Sequence, residues 1–242
     1  MKKLLLLAAA ALLCTAAQAQ NAEADQQQNE SKKARIIGVG FLPGLPASQD
    51  NSVVSGLKLG IPVVTGKNAE INGLEASLGY AGTETMNGLQ AAIFMTDCKA
   101  GSGVQLAIPM NCALDSFKGW QGAVLFNQTL AASGAQTALF NFASDFKGYQ
   151  HGFFSNITGK ACGFQLSCLN VATDQMDGAQ VSVVNYARRS TGICQVGVVS
   201  LSNGRSVQIG AINYAESGFQ FGLVNAMKKG FLPVMILFNF SI

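Results

Sequence analysis

The stretch Gly218-Phe-Gln-Phe-Gly-Leu-Val-Asn225 decides the fold, because its pattern recurs throughout the chain. Each copy reads Gly, an apolar residue, Gln, an apolar residue, a small residue, two apolar residues and Asn. Clear copies are Gly134-Ala-Gln-Thr-Ala-Leu-Phe-Asn141, Gly163-Phe-Gln-Leu-Ser-Cys-Leu-Asn170 and Gly178-Ala-Gln-Val-Ser-Val-Val-Asn185. A regular period over most of a chain is the signature of a repeat architecture.

Two columns of amide residues mark the repeat. Successive glutamines lie 12 to 16 residues apart, and two earlier copies carry Lys58 and Glu75 in the same column. This makes about twelve units between Gly56 and Asn225. The glutamine column comprises Gln90, Gln105, Gln121, Gln136, Gln150, Gln165, Gln180, Gln195, Gln208 and Gln220. The asparagine column comprises Asn111, Asn127, Asn141, Asn156, Asn170, Asn185, Asn213 and Asn225.

Each unit alternates apolar and other residues with a period of two, which is typical of a β-strand. In the last unit Phe219, Phe221 and Leu223 share one face, whereas Gln220 and Gly222 share the other. Turn signals precede the copies, at Asn72-Gly73, Asn87-Gly88, Asp177-Gly178 and Ser217-Gly218. Helical periodicity is missing between the strands, so the sequence predicts an all-β protein.

Two all-β architectures use such units. A parallel β-solenoid stacks its coils about 4.8 Å apart and lets equivalent Asn amides hydrogen-bond along a ladder. An antiparallel outer-membrane β-barrel also gives a period near 15. Its strands run alternately up and down, however, so every second turn would be longer. The even spacing favours the solenoid. The alternation of Val234, Ile236, Phe238, Phe240 and Ile242 fits either a closing barrel strand or a cap strand on the last coil.

The first residues are typical of a secretory signal peptide. A basic start precedes an apolar run from Leu4 to Leu13, and Ala17-Gln18-Ala19 supplies a small-residue cleavage site. A lipoprotein signal using Cys14 is the competing interpretation, and the bulky Leu13 before it argues against that. We therefore expect the chain to be exported.

The sequence predicts three regions. Residues 1–19 form the signal peptide, and the polar residues 20–35 form a flexible linker. Residues 36–242 form a single β-repeat domain, with repeats over about 56–229 and a C-terminal cap strand over 230–242.

Composition limits the chemistry. Only 12% of the 242 residues are charged, and loss of the signal peptide leaves a net charge of +1, which argues against nucleic-acid binding. The single histidine, His151, follows Gln150 and has no sequence motif of catalytic or metal-binding partners around it. Gly38-Val39-Gly40 is not followed by a helix pattern and so is not a dinucleotide fingerprint. We expect no cofactor, no metal and no enzymatic activity.

The cysteines offer one specific prediction. Cys98 and Cys112 are 14 residues apart, close to one repeat, so a solenoid places them on adjacent coils at a separation that suits a disulfide. The alternative is that the cysteines are small apolar core residues.

The glutamine column has functional potential. A regular stripe of amides on the surface would suit a repetitive ligand such as a glycan. The alternative, which we favour, is that stacked amides satisfy one another along the sheet.

The repeat and the ending Gly230-Phe-Leu-Pro-Val-Met-Ile-Leu-Phe-Asn-Phe240 resemble the bacterial surface-repeat-containing protein family first named in spirochaetes. The resemblance covers roughly Gly56 to Ile242, and it implies an envelope or surface location and little chemistry. We therefore expect a non-enzymatic cell-envelope repeat protein with a structural, adhesion or ligand-presenting role and an envelope component or glycan as partner. The alternative is an outer-membrane barrel with a pore or transport role.

Overall fold

The computed structural model describes residues 32–41, 50–66 and 68–241. The signal peptide predicted over 1–19 and most of the linker predicted over 20–35 lie outside the described residues. Where the chain is described it forms strands and turns and no helix, so the all-β prediction is confirmed.

The strands follow one another with short bends between them. In chain order they are β1 (Lys33–Gly40), β2 (Ser52–Gly60), β3 (Val63–Val64), β4 (Glu70–Ser77), β5 (Tyr80–Ala92), β6 (Met95–Ala107), β7 (Met110–Ala123), β8 (Phe126–Leu166), β9 (Leu169–Ala187), β10 (Ser190–Ser202), β11 (Arg205–Ile209), β12 (Ile212–Ala215), β13 (Ser217–Met227) and β14 (Val234–Phe240). The long strand β8 continues through successive coils without a break, because the bends between its coils keep extended backbone.

Neighbouring coils are parallel and in register. Gln90 lies beside Gln105, Gln105 beside Gln121, and Gln121 beside Gln136. The same register continues through β9 to β13, which gives a parallel β-solenoid of about twelve turns with coils about 15 residues apart. The solenoid prediction is confirmed, and the antiparallel alternative does not describe this chain.

The two ends of the stack differ from the middle. Strand β14 runs antiparallel to β13, with Phe221 beside Phe238, and so covers the edge of the last coil. At the other end β1 is parallel to β2, with Lys33 beside Ser52. Among the described residues the first coil therefore begins at Lys33, whereas the sequence predicted the domain from residue 36 and the repeats from about Gly56. The repeat pattern could not reveal this coil, because Gly38 occupies the position that faces Lys58.

The glycine column forms bends inside continuous strands. Gly134 has a φ of 126°, and a Cβ at this position would lie 2.2 Å from the carbonyl oxygen of Gly119. Gly178, expected in a turn, is a strand residue with a φ of 120°. These bends require glycine because other residues rarely adopt this backbone conformation and a side chain has no room beside the neighbouring coil.

Four inward-facing columns make up the core: the glutamines, the asparagines, a column of small residues and an apolar column. In the apolar column large and small residues alternate from coil to coil, as Met86, Gly101, Phe117, Ala132, Phe146, Ala161 and Met176. A Cβ on Gly101 would lie 2.8 Å from the Phe117 ring. Between Met86 and Met176 each large side chain thus fills the space beside a small neighbour. Nearer the N-terminal end Val54, Ile71 and Met86 follow one another directly, so the alternation is confined to the later coils.

Candidate functional site

The glutamine column forms an unbroken ladder inside the solenoid. In every rung Nε2 donates to Oε1 of the glutamine one coil nearer the N-terminus, as from Gln105 to Gln90 at 2.7 Å and from Gln220 to Gln208 at 2.7 Å. All ten side chains are at most 1% exposed. Their polar groups therefore satisfy one another, except for Gln220 Oε1 at the end of the ladder, and the column cannot present a stripe of amides to a ligand. The structural interpretation is the correct one.

The ladder begins at a buried ion pair. Gln90 Nε2 donates to Glu75 Oε2 at 2.6 Å, and Lys58 Nζ lies 3.0 Å from Glu75 Oε1. Both charged side chains are fully buried. Because every amide points its N–H toward this end, the aligned dipoles favour a carboxylate here, and Lys58 balances its charge.

The asparagine ladder has the opposite direction. Asn127 Nδ2 donates to Asn141 Oδ1 at 2.9 Å, and Asn141 Nδ2 donates to Asn156 Oδ1 at 2.9 Å, each toward the C-terminus. The same Asn141 nitrogen donates to the backbone carbonyl of His151 at 2.9 Å. At the start of the ladder the Thr96 hydroxyl donates to Asn111 Oδ1 at 2.5 Å. The asparagines thus hydrogen-bond to one another and also to backbone carbonyls of the next coil, which fixes the bend there.

The asparagine ladder is interrupted at one coil. Ser200 lies between Asn185 and Asn213 in the register, and its shorter side chain does not bridge them. In the part of the chain that the structure describes, Ser200 Oγ and Asn213 Oδ1 are buried without a hydrogen-bond partner. The ladder resumes from Asn213 to Asn225 at 2.8 Å.

A buried polar cluster lies beside the start of both ladders. The Tyr80 hydroxyl donates to Asp97 Oδ2 at 3.2 Å, and Cys98 Sγ accepts from Gln105 Nε2 at 3.3 Å. Burial raises the pKa of Asp97 to about 6, and it raises the pKa of Tyr80 and of the Cys98 thiol well above their ordinary values. A thiol held protonated in the core is a poor nucleophile, so this cluster has the character of core packing.

The predicted disulfide between Cys98 and Cys112 is wrong. The register places Cys98 beside Ala113 and Cys112 beside Asp97, one residue out of step. Successive strand residues point to opposite sides, so the two sulfurs are directed apart. The five cysteines of the described residues form no disulfide: Cys98 and Cys112 are buried, Cys194 is partly exposed, and Cys162 and Cys168 are exposed.

His151 lies on the outside of the solenoid. Its ring packs against Tyr149, with the ring centroids 6.4 Å apart, and Tyr149 stacks on Phe164 in the next coil. Across residues 32–41, 50–66 and 68–241, no group of three or more His, Cys, Asp or Glu side chains is placed to hold a metal ion.

The outer surface is divided into an uncharged part and a charged part. We call the outward side chains of ten segments the apolar face; none of these segments contains Asp, Glu, Lys or Arg. Phe94, Phe153 and Leu223 are 60% to 66% exposed on this face. The segments are residues 88–96, 103–111, 119–127, 134–141, 148–156, 163–170, 178–185, 193–200, 206–213 and 218–225.

Charged side chains occupy the stretches between these segments, as at Lys147, Asp174, Arg189 and Glu216. Alternation alone did not reveal that the apolar side chains point outward. The signal that could have shown it is the complete lack of charge between the Gly and Asn columns, repeated in ten consecutive units.

No protein-family model, curated protein or solved structure matches the chain. In the residues that the structure describes, no helix has the length and hydrophobicity needed to cross a membrane.

Proposed function

We propose that this chain is a non-enzymatic structural element of a bacterial cell envelope or surface, where its rod presents a binding or adhesion face. The observation that carries the proposal is the unbroken glutamine ladder, which links all ten of its coils through buried hydrogen bonds. A buried polar network whose members pair with one another makes a core rigid and uniquely specified. Such a rod is suited to holding a surface at a fixed geometry.

The placement of reactive groups favours a scaffold over a catalyst. His151 lies on the outer face, whereas Asp97 and Cys98 are buried in the core. A general base must reach the proton that it removes, and a nucleophile must reach its substrate. Asp97 and Cys98 are shielded from solvent, and His151 lies apart from both on the outer face.

The location rests on the sequence. The basic start, the apolar run and the Ala17-Gln18-Ala19 site support export, and the resemblance to surface-repeat proteins supports an envelope or surface destination. A ligand such as a glycan or an envelope component would bind the outer side chains, since the amide columns are buried. The transport alternative depended on antiparallel neighbours, whereas the neighbours are parallel, so it is not carried forward.

Expression of the full chain in a Gram-negative bacterium tests export and location together. We expect a mature N-terminus at Gln20 by mass spectrometry, and labelling of the intact cells by a membrane-impermeant lysine reagent. The matched control is Ala19→Arg, which should leave the signal uncleaved. A wild-type chain found in the cytoplasm with residues 1–19 intact would contradict the proposal.

Small-angle scattering of the exported chain tests the rod. Twelve coils about 4.8 Å apart give a long dimension on the order of 60 Å for the stack. A compact, isotropic particle of this mass would exclude the presenting role.

A further inference from the structure

The apolar face is larger than soluble monomers ordinarily leave in water. Ten coils at about 4.8 Å give a length near 48 Å, and about six residues of each segment at about 3.3 Å per residue give a width near 20 Å. The resulting area of about 1,000 Å² exceeds the few hundred Å² of a typical exposed patch. An exposed apolar patch of this size is typical of a surface that contacts another molecule.

The N-terminal half of the face contains a groove. The residue after each column position is mostly small here, and a shallow depression of about 560 Å³ follows this line. Trp120 borders the depression on one side, and Ile93, Ile108 and Val124 border it on the other. Four groove positions lie on the apolar face, at Ala91, Leu106, Gly122 and Thr137, and the depression extends one coil beyond the face to Ala76.

The C-terminal half carries a ridge along the same line. The residue after each glutamine is large in these five coils, and Val196, Ile209 and Phe221 are 37%, 46% and 53% exposed. The ridge positions are Leu166, Val181, Val196, Ile209 and Phe221.

We propose that a second copy of this chain covers the apolar face, antiparallel to the first, with the ridge of each copy in the groove of the other. Five groove coils and five ridge coils flank the coil of His151, so a two-fold axis through that coil superposes them. It brings Ala76 opposite Phe221 of the second copy, and Ala91 opposite Ile209. A two-fold interface is self-complementary in this way.

The remaining pairs follow the same order, with Leu106 opposite Val196, Gly122 opposite Val181 and Thr137 opposite Leu166. Of the five pairs, four join a small residue to a larger one, and the exception is Leu106 with Val196. Along this line the size difference between the two halves thus becomes complementary when one copy is reversed.

Area and charge favour a second copy over a lipid surface. About 1,000 Å² on each copy buries about 2,000 Å² in total, which is the range of stable homodimers, and such interfaces are depleted in charge at their core. A surface that lies on lipid is usually flanked by Lys and Arg. Here the residues just before the glycine column include both signs, as at Lys118, Lys147 and Asp177. This inference is independent of the proposed envelope role.

Sedimentation of the exported chain across a concentration series tests the dimer. Val196→Lys places a charge on the ridge, and Ala91→Phe fills the groove. Either change should weaken the dimer at least about 100-fold, because a buried unpaired charge or a clash costs several kcal/mol. The matched control, Thr173→Lys on the charged side, should leave the dimer unchanged, and circular dichroism should show that all three variants are folded.

A cross-link tests the axis. With the three exposed or partly exposed cysteines changed, Cys162→Ser, Cys168→Ser and Cys194→Ser, the addition of His151→Cys should give a disulfide-linked dimer on mild oxidation. Ser144→Cys on the charged side should not. A dimer cross-linked by Ala91→Cys alone would overturn the antiparallel arrangement. A chain that stays monomeric at its highest soluble concentration, or that floats as a monomer with phosphatidylcholine vesicles, would overturn the second copy as the cover.

Discussion

The two amide columns share one interior, and in the middle coils they bond to different partners. Gln136 donates only to side chains, Gln121 Oε1 at 2.8 Å and Thr129 Oγ1 at 3.3 Å. Asn141 donates to a side chain, Asn156, and to the backbone of His151. From Gln121 to Gln180 the glutamines therefore join coils through side chains alone. Nearer the two ends of the column Gln90, Gln105, Gln195, Gln208 and Gln220 also donate to backbone carbonyls, and the column accommodates a lysine and a glutamate at its start. The asparagine column also fixes the path of the main chain.

The largest loss of stability is expected at the start of the glutamine column, where Lys58 and Glu75 take the place of glutamine. Lys58→Met leaves the Glu75 carboxylate buried without its cation, and removing one partner of a buried pair costs about 3–5 kcal/mol. Urea unfolding measures this loss. The matched double variant Lys58→Gln with Glu75→Gln extends the amide ladder by two rungs and should recover most of the stability. A double variant as unstable as Lys58→Met would show that the column needs its ion pair.

The coil that contains Gln90 and Asp97 should make the stability of the protein depend on pH. The pKa of Asp97 is raised to about 6 by burial, so the folded state holds this proton more tightly than the unfolded state, where the pKa is near 3.8. Stability from this group is complete below about pH 4 and is lost as pH rises through 6, by at most about 3 kcal/mol. Urea unfolding of wild type and Asp97→Asn across this range isolates the effect. Parallel pH profiles for the two proteins would contradict it.

A direct comparison of the columns should show that the asparagine matters more. Asn141→Leu orphans the His151 carbonyl and Asn156 Oδ1, whereas Gln136→Leu orphans Gln150 Nε2. Each orphaned buried group costs about 1–3 kcal/mol, so the asparagine variant should be less stable by roughly 1 kcal/mol or more. Thermal and urea unfolding of the two variants measure the difference. Equal losses would mean that the bond to the main chain contributes little.

The smallest expected effect is a gain. Ser200→Asn restores the missing rung, with Asn185 as donor and Asn213 Oδ1 as acceptor, and should stabilise the fold by about 1 kcal/mol. Ser200→Ala is the control, since it removes the orphaned hydroxyl without adding an amide. If both variants gain the same free energy of unfolding, the gain comes from deleting the hydroxyl, and the restored amide hydrogen bonds contribute nothing further.

Much of the fold could be predicted from the sequence, because the columns are themselves the stacking contacts. The even spacing and the asparagine column, from Asn127 to Asn225, predicted parallel coils, and the register pairs like with like. The coil of β1 could not be predicted, since Gly38 replaces the marker residue. The Cys98–Cys112 prediction failed because a 14-residue separation in a stack of about 15 misses the register by one position.

The alternation in the sequence could not show which side of each strand faces inward. Alternation with a period of two distinguishes two faces without saying which one is buried. The usual rule places Phe219 and Phe221 inside, yet both are exposed and Gln220 is buried. Stacked amides satisfy their own hydrogen bonds, which removes most of the cost of burying them. The candidate surface therefore could not be predicted from alternation, and its one sequence signal is the lack of charge in ten consecutive segments.

The alternation of large and small residues in the apolar column limits how many coils can be added to such a chain or removed from it. Duplicating one coil between Met86 and Met176 would set two rings, or two gaps, against each other, as with a second Phe146 directly above the first. Duplicating two coils preserves the order. In this part of the molecule the heritable module is a pair of coils, about 30 residues long, and lineages that lengthen or shorten the rod should do so by even numbers.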